Sequence, residues 1–223
     1  MIRFRLALAF LLVLVAPGAL ASGPDIDKVN GSITAEAGQV YGDLNTVNGS
    51  IRLHDGARAD EAETVNGSIR GGDDIQAGKL GTVNGSIRMG VRARITGDVE
   101  TVNGSIFIDR DSRVDGDVET VNGGIGLVQT TVAGDVGTVT GDITIGVGSQ
   151  VRGGIKVSRP SRNWMPVQIN RRIPRIVIGP QAVVDGPLVF EREVKLYVHD
   201  SARIGTVTGA TAVRYSGPTS PRD

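Results

Sequence analysis

The chain is 223 residues long, with a formal net charge of zero, no cysteine, two histidines, 4% aromatic residues and 32 glycines. Without cysteine there are no disulfides, thiolate metal sites, thiol nucleophile or lipidated N-terminal cysteine, so the processed product is expected to be soluble rather than lipid-anchored. Few aromatics and many glycines exclude a core built on large side chains, and burial has to come from elsewhere.

At the N-terminus, Arg3 and Arg5 precede an unbroken apolar run from Leu6 to Val15, and Ala19-Leu20-Ala21 forms a small-x-small site before Ser22. This is the pattern of a secretory signal peptide over 1–21, which predicts a periplasmic or secreted product. The run is shorter than the roughly 20 apolar residues of a spanning helix, and Pro17-Gly18 breaks it. Zero net charge hides an asymmetry. Ser22 to Thr120 carries 17 Asp and Glu against 10 Lys and Arg, whereas Val121 to Asp223 carries 7 against 12.

From Val29 onward a phrase recurs. V-N-G-[SG]-I begins at Val29, Val47, Val65, Val83, Val102 and Val121, with a variant, VTGDI, at Val139; the intervals are 18, 18, 18, 19, 19 and 18 residues. Self-similarity at a fixed period marks a repeat architecture. Within each interval, apolar or small residues return every six positions, as at Val47, Leu53, Ala59 and Val65. Val, Ile and Thr dominate the repeats, and glycine interrupts them at a spacing that would cost a helix about 1 kcal/mol each time. Six residues at about 3.3 Å make one short side, and three sides make a coil. The fold predicted over 22–157 is therefore all-β, a three-sided single-stranded β-solenoid of about 18 residues per coil and about seven coils.

In that geometry the predicted core ladder is Val47, Ile51, Val65, Ile69, Val83, Ile87, Val102, Ile106, Val121 and Ile125, all pointing inward. The corner ladder is Asn48, Gly49, Asn66, Gly67, Asn84, Gly85, Asn103 and Gly104, with Asn and Gly chosen because both tolerate positive φ. Thr46, Thr64, Thr82, Thr101, Thr120 and Thr138 are expected to form an outward column. Beside the Asn column this would make a Thr-x-Asn face of the kind an ice-binding solenoid presents, although threonine is also simply a good strand residue. The Asn-Gly-Ser triplets at Asn30, Asn48, Asn66, Asn84 and Asn103 are formal glycosylation acceptors. Coils about 4.8 Å apart leave no room for five glycans along one edge, so a stacked amide ladder is expected instead.

Ser158 to Arg175 breaks the rhythm and predicts a projecting loop. Arg152, Lys156, Arg159, Arg162, Arg171, Arg172 and Arg175 occur without an acidic residue between Asp142 and Asp185, and Trp164 lies among them. Trp164, Arg162, Arg171 and Arg172 are the candidate contacts to an anionic envelope component: lipid headgroup, acidic polysaccharide or acidic protein surface. No nucleic acid partner is expected of an exported chain. The beat resumes over 176–214 with about two further coils, and the Pro- and Ser-rich tail 215–223 is expected to be disordered.

The segments Ile95-Thr96-Gly97-Asp98-Val99, Val114-Asp115-Gly116-Asp117-Val118 and Val132-Ala133-Gly134-Asp135-Val136 resemble the V-x-G-D-[IV] coils of the polymer-forming bactofilins, across roughly Val29 to Val157 and more weakly Ile176 to Ala212. The resemblance implies a right-handed β-helix that assembles end to end into non-polar filaments without nucleotide. The VNGSI phrase is equally similar to exported adhesin-type repeat proteins of bacteria.

Other chemistry finds little support. His54 and His199 invite comparison with hexapeptide-repeat acyltransferases, but two histidines are one short of a three-histidine zinc site, and no companion motif accompanies them. The carboxylates Asp55, Asp60, Glu61, Glu63, Asp73 and Asp74 lack the GGxGxD nonapeptide of calcium-binding β-rolls and predict a solvated acidic face. No cofactor and no enzyme activity are expected. The leading expectation is an exported structural protein that self-assembles through its open ends as a homopolymer or homo-oligomer, acting as scaffold or adhesin. A monomeric module binding through 158–175 is the alternative, and an acyltransferase a remote third.

Overall fold

The computed structural model describes residues 23–160 and 172–221. Among these are 26 strands and no helix, and the strands stack in parallel into a β-solenoid of about ten turns. As far as Val157, partner residues on successive coils are 18 or 19 apart, as in Ile51↔Ile69 and Ile87↔Ile106; later pairs such as Ile176↔Leu196 and Leu196↔Ala212 depart from that spacing. One side is a ten-stranded sheet running from Ile33–Ala35 to Ala212–Tyr215. The other two sides merge into one 16-stranded sheet, because in two coils the strand rounds the corner unbroken, over Arg58–Asn66 and Gln76–Asn84. Later coils separate them, as in Arg94–Ile95 and Val99–Asn103.

The inward column on the first side includes Ile33, Ile51, Ile69, Ile87, Ile106 and Ile125, all 2% exposed or less. Each contributes about 1.5–3 kcal/mol by burial, and identical neighbours above and below make the contribution repeat along the rod. The valines of the predicted ladder do not share this position. Leu44 and Thr46 point inward, so strand alternation turns Val47 outward. Val47, Val65, Val83 and Val121 are half-buried on the outer face; Val102 alone of these positions is buried, at 8% exposure.

The threonines stand where the valines were expected. Thr46, Thr64, Thr82, Thr101, Thr120 and Thr138 are buried, at 4% exposure or less. A hydroxyl survives there because it has a partner. Thr46, Thr64, Thr82, Thr101 and Thr120 donate to the carbonyl of the corner glycine one coil earlier, at 2.8–3.1 Å. The outward Thr column is thereby corrected, and the Thr-x-Asn face with it.

The corner glycines also differ from expectation. At Gly49, Gly67, Gly85 and Gly104 the backbone lies outside the left-handed region, but a Cβ would stand 1.8–2.1 Å from the preceding corner's carbonyl oxygen. Glycine is required there by the close approach of one coil to the next. At that corner Gly31, Gly123 and Gly209 do take positive φ, of 86–153°, but the regular run of it lies at the corner between the first and second sides, where Gly38, Gly56, Asp74, Arg92, Asp111, Gln129, Gly148 and Gln181 all have φ between 42° and 70°.

Gly-Asp marks the third corner. Asp98 Oδ1 accepts the Asp117 N–H at 2.8 Å, Asp117 Oδ1 that of Asp135 at 2.7 Å, and Asp135 Oδ1 that of Gly154 at 2.7 Å. Each carboxylate occupies the space that a Cβ on the next coil's glycine would fill: Gly116, Gly134 and Gly153 would meet those oxygens at 2.2–2.4 Å. The V-x-G-D motif is thus a coil-to-coil staple.

Across the inserted loop the stack continues without a break. Ile143 pairs with Ile176 and Val151 with Val184, 33 residues on. The first-side strand resumes at Arg175–Ile178. Tyr215 ends the last strand and is 9% exposed, with its hydroxyl donating to the Ile178 carbonyl. Arg175 Nη2 donates to Ser220 Oγ at 2.8 Å. The tail is thereby tied back to the body of the solenoid at Ser220. Residues 1–21 lie outside the described residues.

Candidate functional surfaces

A solenoid offers three faces, three corners and two ends. The Asn-Gly-Ser corner carries a continuous side-chain ladder. Asn48 Nδ2 donates to Asn30 Oδ1, and the same bond repeats through Asn66, Asn84, Asn103 and Asn122 at 2.9–3.1 Å, ending at Thr140. Beside it, Ser32, Ser50, Ser68, Ser86 and Ser105 each accept a backbone N–H of the next coil at 3.2 Å. The amide nitrogens of Asn48, Asn66, Asn84 and Asn103 that glycosylation would need are committed to this ladder.

The outer column of the third side reads Asn45, Glu63, Gly81, Glu100, Glu119, Gly137, Lys156. Gly81 and Gly137 leave room for the Glu63 and Glu119 side chains, whose oxygens lie 3.1 and 2.9 Å from where a Cβ would stand. Lys79 pairs with Glu63 at 2.8 Å. Glu100 and Glu119 are stacked in register with no cation between them. Burial, then Asp117 and Glu100, push the Glu119 carboxyl up to about 7. Burial also raises Glu100, partly offset by Lys79.

On the first side the outer column carries exposed arginines, Arg52, Arg70 and Arg88, followed by Phe107. The Arg88 guanidinium lies 4.9 Å over the Phe107 ring. Arg52 and Arg70 make no ion pair among the described residues.

Of the predicted loop contacts, Arg162, Trp164 and Arg171 lie outside the described residues. Arg172 is engaged within the fold, 2.5 Å from Asp142, and Asp142 also accepts the Arg175 N–H. On the other flank, Glu191 pairs with Lys156 at 3.2 Å and accepts the Arg159 N–H. Two carboxylates distant in sequence therefore staple the two flanks of the insertion and offset the basic run. His54 is exposed, while His199 bonds Ser201 and meets the Tyr215 ring edge-on at 5.0 Å. No group of three or more His, Cys, Asp or Glu side chains able to hold a metal occurs among the described residues.

The ends leave backbone groups open. Among the described residues, Ile26–Asn30 and Ile33–Ala35 pair only with the following coil; Arg203–Ile204, Val207–Thr208 and Ala212–Tyr215 pair only with the preceding one. Both end coils place a cation at a position that points inward elsewhere. Lys28 stands in the Thr46 column, with Nζ donating to the Ser32 carbonyl at 2.8 Å, and Arg214 stands in the Val198 column, donating to the His199 carbonyl. Against protein-family models, curated proteins and solved structures, the chain finds no match.

Proposed function

We propose that this chain is an exported, non-enzymatic structural protein whose coils stack end to end into a homopolymeric scaffold or adhesin of the cell envelope. The observation that carries this reading is the pair of end coils, whose parallel strands are paired on one side only among the described residues. Open strand edges recruit further strands, and a coil of near-identical repeats is the best template for another. Each coil already satisfies its corner polar groups from the coil next to it, through the Asn, Ser, Thr and Asp ladders. Another copy continues those ladders at little new ordering cost. The bactofilin-like Gly-Asp corners support the same reading.

Light scattering of the purified protein across concentration and salt tests it. Mass growing with concentration is expected; a constant single-chain mass under all conditions would overturn the proposal. Docking through 158–175 takes second place, because the described flanks of that loop are tied to Asp142 and Glu191.

A further inference from the structure

Resting on that reading, we infer that the stacking is polar: the C-terminal end of one copy receives the N-terminal end of the next, in the register the coils already use.

The rungs are defined by the columns. Ile26 begins the inward column that continues through Leu44 and ends with Leu188 and Val207. Lys28 begins the threonine column, which continues through Val157 and Phe190; Gly209 follows Phe190, and a Cβ there would stand 2.0 Å from the Phe190 carbonyl oxygen. On the first side, Ile33 and Ala35 begin the columns that Ala212 and Arg214 end. Head-to-tail contact therefore sets Ile26 on Val207, Lys28 over Gly209, Ile33 on Ala212 and Ala35 on Arg214. Both cations that would block a stack of identical coils meet the smallest side chains of the opposite end, and large against small is how packed layers interdigitate.

Backbone and charge agree with this polarity. Within the rod, the Ile33 N–H bonds the Ser50 carbonyl of the following coil, and the Ile51 N–H that of Ser68. By the same register the Ala212 N–H faces the Ser32 carbonyl of the incoming copy, an acceptor that Lys28 Nζ holds in the separate chain. The first coil carries Asp25, Asp27 and Glu36 against Lys28, while the last carries Arg203 and Arg214 against Asp200. Head-to-tail stacking brings Arg214 beside Glu36, one residue along from Ala35. Joining two like ends instead sets each cluster against its own copy.

The chain has no cysteine, so paired thiols report the contact cleanly. Asp27 and Thr208 share an outward column at opposite ends, too far apart for an intrachain bond. Neighbouring strands at about 4.8 Å fall within the reach of a disulfide. After mild oxidation, the Asp27→Cys/Thr208→Cys protein is expected to give a covalent ladder on a denaturing gel. An equal mixture of the two single variants should give dimers, and neither single variant alone should. Dimers from either single variant in assembled protein, or no cross-link at all in assembled protein, overturn the polarity while leaving end-to-end stacking in place. Absence of assembly in the unmodified protein overturns both.

Discussion

Replacing Gly85 by alanine tests the reason that glycine stands at the Asn-Gly-Ser corner. An added Cβ would stand 1.8 Å from the Gly67 carbonyl oxygen, 2.5 Å from its carbon and 3.1 Å from the Ser68 nitrogen. All three are backbone atoms, so no side chain can swing away. The corner is also held from both sides, by Gly67 N–H to Asn84 O, Gly85 N–H to Asn103 O and Ile69 N–H to Ser86 O at 3.0–3.1 Å, and by the amide ladder. Relief requires the coils to part by more than an ångström. That sacrifices two or three bonds of about 1 kcal/mol each on top of overpacking of about 1–3 kcal/mol, about 4 kcal/mol in all. The control is Gly56, where φ is +70° and the nearest heavy atom to a Cβ lies 3.7 Å away. Its column already holds Asp74, Arg92 and Asp111 at φ of 58–60°, so Gly56→Ala costs about 1 kcal/mol and Gly56→Asn less. Urea unfolding followed by the β signal in circular dichroism compares the variants. Equal losses for Gly85→Ala and Gly56→Ala, or a rescue of Gly85→Ala by asparagine, would refute the close-approach argument.

Thr101→Val removes the donor to the Gly85 carbonyl, 2.9 Å away, while keeping the shape. A loss of about 1–2 kcal/mol is expected, with Thr101→Ser milder, and hydrogen exchange at the corner amides reports it locally. Met89 is fully buried and fills the space over Gly71, its sulfur lying 2.6 Å from where a Gly71 Cβ would stand. Because Gly71 offers nothing to close the void, Met89→Ala is expected to cost about 3–5 kcal/mol by thermal unfolding. With the Glu119 carboxyl at about 7 when folded against 4.5 unfolded, the folded state holds a proton that the unfolded chain releases. Stability therefore falls as pH rises through that window, by about 1 kcal/mol after solvent screening at this half-buried site. Glu119→Gln removes that slope between pH 4.5 and 7 in parallel urea titrations.

The coil period, the β architecture and the isoleucine column were legible because a repeat multiplies a weak local signal until spacing alone defines the side length. The phase of the valines and threonines was not. Apolarity places Val65 inside and Thr64 outside, and what reverses them is a hydrogen bond from Thr64 to the Gly49 carbonyl, a partner 15 residues away that no local pattern displays. The corner glycines were located correctly but explained by backbone conformation, when the cause lies in the neighbouring coil. The basic run around the loop looked unopposed because Asp142 and Glu191 reach its flanks only after the chain has coiled. The end-coil residues Lys28 and Arg214 stand out only when aligned with the columns they terminate. Folding exchanges neighbours in sequence for neighbours one turn away.

Electron cryomicroscopy of the concentrated protein shows end-to-end stacking by direct view. Ten coils at about 4.8 Å make a rod about 50 Å long. Filaments of constant width are expected, with the coil rise of about 4.8 Å running uninterrupted across every boundary between copies. Separate rods of one length at every concentration, or copies joined side by side, would contradict end-to-end stacking.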